Sequence, residues 1–275
     1  MNLLGIDFEE WYHPELVQPH LKSSRNKPQV YNGIDKIIDW LRKNETFATF
    51  FVVGEILEFK PEILDKIIEN GHEIAFHTMH HKRLDIMTKE DFVQEAREFA
   101  NLTNKRSRGF RAPTFSLNEK TKWVIDALGE NDYLYDSSVV PAKTRLYGIP
   151  GADTKPYRIS SDVINQNNPD AKILEFPIMV TKFFGKKIPA GGGFYLRFLP
   201  LVTIENAIKQ YESQKKPATF YIHSWELTPE HMPRIPLPLG DKFITYHNLH
   251  KAMSKMDKLI KAFQFTSFER YIKSD

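Results

Sequence analysis

The sequence predicts an α/β chain whose parallel strands curl into a closed or nearly closed (β/α) barrel. Two observations carry this. Runs rich in β-branched and aromatic residues alternate with segments of helical periodicity, and there are too many such units for a compact flavodoxin-like sheet. Ionisable residues gather where the strands end, which is where a parallel barrel carries its chemistry. The length of 275 residues suits one large barrel domain, and a single domain over residues 1–275 is expected. Hydrophobic residues at 41% and charged residues at 27% are ordinary globular usage.

Leu3 to Phe8 is a short apolar run ending in acids, a buried strand. Asn32 to Asn44 sets Ile34, Ile37, Ile38 and Leu41 at helical spacing. Thr46 to Val53 is a second strand. Pro61 opens a helix through Ile63, Leu64, Ile67 and Ile68, and Asn70-Gly71 closes it. His72 to Phe76 is a third strand. Thr88 to Asn101 is a helix whose start, Thr88-Lys89-Glu90-Asp91, has the form of a capping box. Arg108 to Arg111 is a short strand and Asn118 to Leu128 a helix. Ile173 to Pro177 and Thr219 to His223 are further strands, with a helix near Ile204 to Gln214 between them. His247 to Phe263 reads as a final long helix and Phe265 to Phe268 as a last strand. Residues 147–197 break the rhythm, so an insertion over the barrel mouth is expected there. Within it, Gly191-Gly192-Gly193 reads either as a flexible turn or as backbone lining for a sugar. The proline-rich stretch Pro229 to Gly240 reads as a stiff loop.

Composition excludes several chemistries. With no cysteine there is no disulfide framework, thiolate metal site or thiol nucleophile, so any metal must be held by His, Asp or Glu. A formal charge of +3 is too balanced to argue for nucleic acid. No run approaches the ~18 apolar residues of a membrane span, so no transmembrane segment is expected. The first residues lack a basic start and a long apolar stretch, which reads as no signal peptide and a cytoplasmic location.

Four strand ends carry the unusual residues: Asp7-Phe8-Glu9-Glu10-Trp11, His77-Thr78-Met79-His80-His81, Arg111-Ala112-Pro113 and His223-Ser224-Trp225-Glu226. His77 and His81 are four apart, which on a helical turn sets two imidazoles on one face toward one ion. Two histidines and a carboxylate make an open catalytic set for a divalent metal. Strand alternation puts Asp7 and Glu9 on one face, so one carboxylate can bind metal while the other serves as base. Asp136 reads as structural, and Trp40 and Trp123 as core.

Together these motifs resemble the polysaccharide deacetylase family, carbohydrate esterase family 4, over nearly the whole chain. They are most similar to the branch associated with exopolysaccharide synthesis. The motifs are Asp7-Phe8-Glu9-Glu10-Trp11, His77-Thr78-Met79-His80-His81, Arg111-Ala112-Pro113, Tyr135-Asp136-Ser137-Ser138 and Phe220-Tyr221-Ile222-His223. The resemblance implies a distorted (β/α)7 barrel. It implies Asp7 as general base, His77 and His81 as metal ligands, Arg111 as the residue that holds Asp7, and His223 as general acid. The ion implied is divalent, zinc first, and the substrate an N-acetylated sugar or glycan. A backbone N–H near Thr114 would help stabilise the oxyanion. Trp11, Thr114, Phe115 and Trp225 are expected to meet the sugar.

One departure stands out. The common family motif has two adjacent aspartates, the second on the metal, whereas Asp7 is followed by Phe8 and then by two glutamates. Alternation favours Glu9 as the ligand, and a bulge at the strand end would favour Glu10. Alternative functions are hydrolysis of a non-sugar cyclic amide, and a non-catalytic carbohydrate-binding domain of the same fold.

Overall fold

The computed structural model describes residues 1–21 and 27–274. Its strands in chain order are β1 (Asn2–Phe8), β2 (Thr49–Val52), β3 (Glu73–Phe76), β4 (Gly109–Phe110), β5 (Tyr135–Asp136), β6 (Tyr157–Ile159), β7 (Ile173–Glu175), β8 (Val180–Phe183), β9 (Lys186–Pro189), β10 (Thr219–His223) and β11 (Phe265–Thr266). The main sheet runs β10-β1-β2-β3-β4-β5-β7-β6, with β11 beside the start of β1. From β10 to β7 every pairing is parallel, and β6 adds an antiparallel edge. These parallel strands are the curled sheet of a distorted (β/α)7 barrel, as the sequence led us to expect.

Among the described residues no ladder closes the sheet between β7 and β10. Irregular chain stitches that seam instead, through parallel bridges Ile178–Thr219 and Gly192–Tyr221. Tyr221 N–H donates to Gly191 O at 2.7 Å, and Met179 N–H to Thr219 O at 3.1 Å. The triple glycine serves this seam. A Cβ on Gly192, whose φ is +131°, would lie 1.7 Å from Tyr221 O. The glycines therefore let backbone meet backbone along β10, and they do not line the cleft.

Alternation sorts the strand residues into two layers. Leu4, Ile6, Phe8, Phe50, Val52, Ile74 and Phe76 face outward into the main core, against helices such as Ile34–Lys43, Glu62–Glu69 and Lys89–Leu102. Leu3, Phe51, Ala75, Tyr135 and Phe176 form a separate inner cluster with Phe268. Phe268 begins the helix Phe268–Ser274, which plugs the lower end of the barrel: Thr49 Oγ1 accepts from Phe268 N at 3.0 Å, and Glu73 accepts from Glu269 N at 2.9 Å. The Thr88–Asp91 capping box forms as expected.

Several elements differ from expectation. Residues 118–122 form a turn pinned by Asn118 and Thr121 side chains, so that helix is Trp123–Glu130. Asn248, at φ +49°, breaks the expected final helix, whose regular part is Ala252–Ala262. The last strand stops at Thr266. The proline-rich loop runs into an unexpected helix, Leu239–Tyr246. Residues 147–197 divide: β6 and β7 join the barrel sheet, β8 and β9 form a separate ribbon, and Tyr147, Phe194 and Arg197 line the cleft. Only the ends of that region reach the mouth, because its middle supplies sheet.

Candidate active site

The upper ends of β1, β3, β4 and β10 open into one cleft. Its walls include Asp7, Glu9, His77, His81, Thr114, Phe115, Tyr147, Phe194, His223 and Trp225. Asp7 and His223 are register partners on adjacent strands, so one backbone ladder sets their separation. Arg111 lies fully buried beneath them. Its Nη1 donates to Asp7 Oδ1 at 2.6 Å, its Nη2 to Ser137 Oγ at 2.9 Å and its Nε to Ser137 O at 3.1 Å. The guanidinium also sits 3.9 Å from the centre of the Phe51 ring. Gly5 makes room for this arrangement: a Cβ there would come within 2.6 Å of Arg111 Nη1 and 2.8 Å of Phe51.

The two glutamates part company. β1 ends at Phe8, and Glu9 turns back toward the face of Asp7. Ser224 fixes the Glu9 backbone, accepting from Glu9 N at 3.2 Å and donating to Glu9 O at 2.7 Å. Glu9 Oε1 accepts from Trp225 Nε1 at 2.9 Å. Glu10 points elsewhere and accepts from the backbone N–H groups of Gln29 and Val30 at 2.8–3.1 Å. Burial nevertheless pushes its carboxyl up to about 7.

His77 and His81 do meet, with ring centres 5.0 Å apart, though not on a helical turn. The segment after β3 is irregular, and both Thr78 (φ +58°) and His81 (φ +53°) adopt left-handed backbone. Met79 N donates to Glu95 Oε2 at 2.8 Å, which holds the loop to a helix. Thr114 and Phe115, after β4, are left-handed as well. Four non-glycine residues in this region at one strand-end face make a concentration of backbone strain of the sort that clusters at functional sites.

Glu9, His77 and His81 each offer one ligand atom within 4.8 Å of the others, and all three are buried. His77 Nδ1 contacts Arg111 O at 2.7 Å, which leaves Nε2 to face the site. Glu9 Oε2 is buried without a hydrogen-bond partner of acceptable geometry, 2.6 Å from His81 Nε2. An orphaned carboxylate oxygen beside two imidazoles is what a divalent cation satisfies, so the donor set fits such an ion. Burial tends to raise the Glu9 pKa, but His81, His223 and His77 together hold it well below the usual range. Burial lowers His77 to about 4, keeping it a neutral donor at neutral pH.

Across the cleft, His223 Nδ1 lies 2.7 Å from Glu226 Oε2, and the ring stacks on Trp225 at 4.6 Å. Burial opposes the charged imidazole, yet Glu226, Glu9 and Asp7 raise it to about 9. Glu226 is itself held by Arg197, whose Nε donates to Oε1 at 2.6 Å.

The sequence profile described as polysaccharide deacetylase matches residues 28–131, and that of a domain of unknown function, DUF3473, matches residues 137–273. The peptidoglycan deacetylase-like protein FGM2 of Gibberella zeae is 27% identical over 62% of this chain and 50% of its own length. A peptidoglycan-N-acetylglucosamine deacetylase of Bacillus cereus is 28% identical over 51% of this chain and 49% of its own. Residues 28–131 thus carry the polysaccharide deacetylase family's sequence pattern, and the curated relatives named as deacetylases are similar to this chain at low identity. These alignments span about half the length of the curated relatives. The crystal structure of a candidate polysaccharide deacetylase from Mycobacterium smegmatis superposes with a TM-score of 0.56 at 15% identity, covering 99% of this chain and 90% of that one, which establishes the shared fold.

Of the candidate residues read from sequence, Asp7, Glu9, His77, His81, Thr114, Phe115, His223 and Trp225 line the cleft and Arg111 lies beneath it, whereas Trp11 does not reach it. Trp11 is buried away from the cleft, its Nε1 donating to Lys27 O at 3.2 Å, because it follows Glu10 out of the site. Trp225 lines the cleft, but its indole N–H is committed to Glu9. Sequence reasoning did not assign roles to Glu226, Arg197 and Ser224. The spacing His223…Glu226 was the available signal, since a carboxylate three residues on can reach back to an imidazole across one turn.

Proposed function

We propose that this chain is a metal-dependent hydrolase that removes N-acetyl groups from a sugar of a glycan or glycan precursor. The observation that carries the reading is the placement of Asp7 and His223 in one cleft with the Glu9–His77–His81 set. The two come from adjacent strands, and each has its own buried partner, Arg111 and Glu226. A binding module has no physical need for a base and an acid around a cation site.

A divalent cation held by Glu9, His77 and His81, for which zinc is our choice, would polarise the acetyl carbonyl and acidify the attacking water. Asp7, oriented by Arg111, accepts one proton from that water as its oxygen bonds to the carbonyl carbon. His223, charged through Glu226, donates its proton to nitrogen as the C–N bond breaks. Acetic acid leaves, releasing its remaining proton to solvent as acetate, and the sugar keeps an amine. Thr114 and Phe115 line the cleft with left-handed backbone, and a peptide N–H near Thr114 would aid the oxyanion. We further read residues 1–275 as one catalytic unit, since ligands from the first half and the acid from the second share the cleft.

The test is an acetate-release screen of the metal-loaded protein against N-acetylhexosamine oligomers, nucleotide sugars, lipid-linked sugars and cyclic imides. Acetate from any of the sugars supports the reading. Ring opening of imides alone, or no turnover of any compound, overturns it.

A further inference from the structure

The ribbon of β8 and β9 ends in a tip whose sequence works against its own fold. Phe183 pairs with Lys186 across the ribbon, so Phe184 and Gly185 make a two-residue turn. Both have positive φ, +46° and +76°. Such a turn favours asparagine or glycine at its first position, and a bulky aromatic residue there is strained. Phe184 is nevertheless 92% exposed, the most open of the large apolar side chains among the described residues. Its ring meets that of Phe183 at 4.6 Å, whereas Phe183 and Ile188 pack on the core.

A second local cost sits beside the first. Lys182 and Lys187 are cross-strand partners, and like charges placed opposite each other destabilise a ribbon. Lys182, Lys186 and Lys187 are all exposed, and among the described residues none of them pairs with a carboxylate. The sequence holds no acid between Glu175 and Glu205. The adjoining surface is basic too. The ribbon lies against helix Leu201–Ser213, where Tyr211 Oη accepts from Val180 N at 3.0 Å. Lys216 Nζ sits 4.0 Å from the centre of that tyrosine ring and donates to Thr154 Oγ1 at 3.0 Å. Burial and then the charge of Lys187 lower the Lys216 pKa, which joins the two cations in one patch. Lys155 and Lys215 line the same groove as Lys216, with Asp153 the acid among them. Of the helix's own charges, Glu212 accepts from Asn2 Nδ2 at 2.8 Å, and Glu205 and Lys209 cancel in count.

We propose that this tip anchors the protein to the surface of an anionic bilayer, with the Phe184 ring entering the interface and Lys182, Lys186 and Lys187 meeting lipid phosphates. Both local costs then have one cause. Anionic headgroups relieve the repulsion between Lys182 and Lys187, and the acyl boundary takes up a ring that water surrounds in the free protein. A second copy of this chain is a poor occupant, since lysines on both strands repel an identical ribbon and blunt its edges. The proposal goes beyond the deacetylase reading and stands without it.

The experiment measures co-sedimentation of the full chain with vesicles of phosphatidylcholine alone and of phosphatidylcholine and phosphatidylglycerol in equal parts. We expect binding to the anionic vesicles to be at least about tenfold tighter, and most of it to be lost at about 0.5 M salt. Lys186→Gln, Lys187→Gln should weaken it at least about tenfold. Phe184→Asn should weaken it at least about fivefold and raise the melting temperature, because asparagine suits the turn. Phe184→Trp should bind as wild type does and add fluorescence that brominated phosphatidylglycerol quenches. Equal binding to both kinds of vesicle, unchanged binding of Phe184→Asn, or added tryptophan emission that brominated lipid leaves alone overturns the anchor. A lower melting temperature in Phe184→Asn also overturns it, since the ring would then serve the fold. Self-association that Phe184→Asn abolishes, or binding to an acidic polysaccharide or an oligonucleotide, in either case without vesicle binding, overturns it as well.

Discussion

Replacing Glu226 by Gln tests the acid. Glu226 Oε2 lies 2.7 Å from His223 Nδ1, and it is the foremost of the groups that raise His223 from its ordinary 6.5 to about 9. Burial opposes a charged imidazole, and the attraction of the Glu226 carboxylate, with that of Glu9 and Asp7, thus outweighs it. Glutamine keeps an oxygen for Arg197 and removes the charge, so at least about one unit of that rise should be lost. The general acid works only when protonated, so kcat falls as pH rises through the His223 pKa. The alkaline limb of kcat against pH should therefore move down by at least about one unit in Glu226→Gln. The acid limb should stay in place. Glu226→Asp, which keeps the charge, should leave the limb near wild type. Because Arg197 loses its buried counter-charge, thermal melting is recorded alongside, and a drop of several degrees is expected. An alkaline limb that stays put while kcat falls would refute the reasoning, since Glu226 would then support the fold without charging His223.

Metal content separates the two glutamates: Glu9→Gln should lower metal retention at least about tenfold by elemental analysis, while Glu10→Gln should keep it, and equal loss in both would refute the assignment. Asp7→Asn should keep the metal and lower kcat by at least about 100-fold, and a metal-free Asp7→Asn would move Asp7 into the ligand set. Gly5→Ala should push Arg111 off Asp7, costing about 1–3 kcal/mol in stability and lowering kcat, and normal melting with normal turnover would contradict the packing. Burial raises Glu73 from 4.5 to about 7, so the folded state holds a proton that the unfolded chain releases. Stability from this group should therefore fall between about pH 4.5 and 7, by up to about 3 kcal/mol, and Glu73→Gln should flatten that slope in melting temperature against pH.

What the sequence disclosed was whatever local periodicity and residue chemistry encode. Strand β10 falls on Thr219–His223 as expected, and helix Ile34–Lys43 sits within its expected span, because a buried apolar face repeats in each. The strand-end motifs were legible because Asp, Glu and His are costly to bury unless they are partnered or functional. Strands β4 and β7 fall inside the expected Arg108–Arg111 and Ile173–Pro177, whereas β5 has only two residues, too short for any period, and β6 lies in a region whose turn-rich composition concealed it. Helix Leu239–Tyr246 was hidden by the prolines before it. Its placement depends on Arg197, some forty residues earlier, and a contact of that range leaves no local signal. The His77–His81 loop was mistaken for a helical turn because the spacing of four is shared by both, while only tertiary contacts impose left-handed backbone on Thr78 and His81.

The departure from two adjacent aspartates follows from where β1 ends. Within a strand, neighbouring residues face opposite sides. Phe8 is still in the strand, and its ring packs outward against Phe50 at 5.9 Å, so it cannot share the face of Asp7. A carboxylate at position 8 would need the strand to stop one residue sooner. Here the ladder with β2 continues through Phe8–Val52, so the next residue able to return to the cleft is position 9. The backbone there is held by Ser224, which directly follows His223, the last residue of β10. The same stretch of chain thus supplies His223, the serine that anchors Glu9, the indole that orients its carboxylate, and the glutamate that charges His223. Ligand and acid are positioned by one tetrapeptide, His223-Ser224-Trp225-Glu226, in which Ser224 and Trp225 hold Glu9 while Glu226 holds His223.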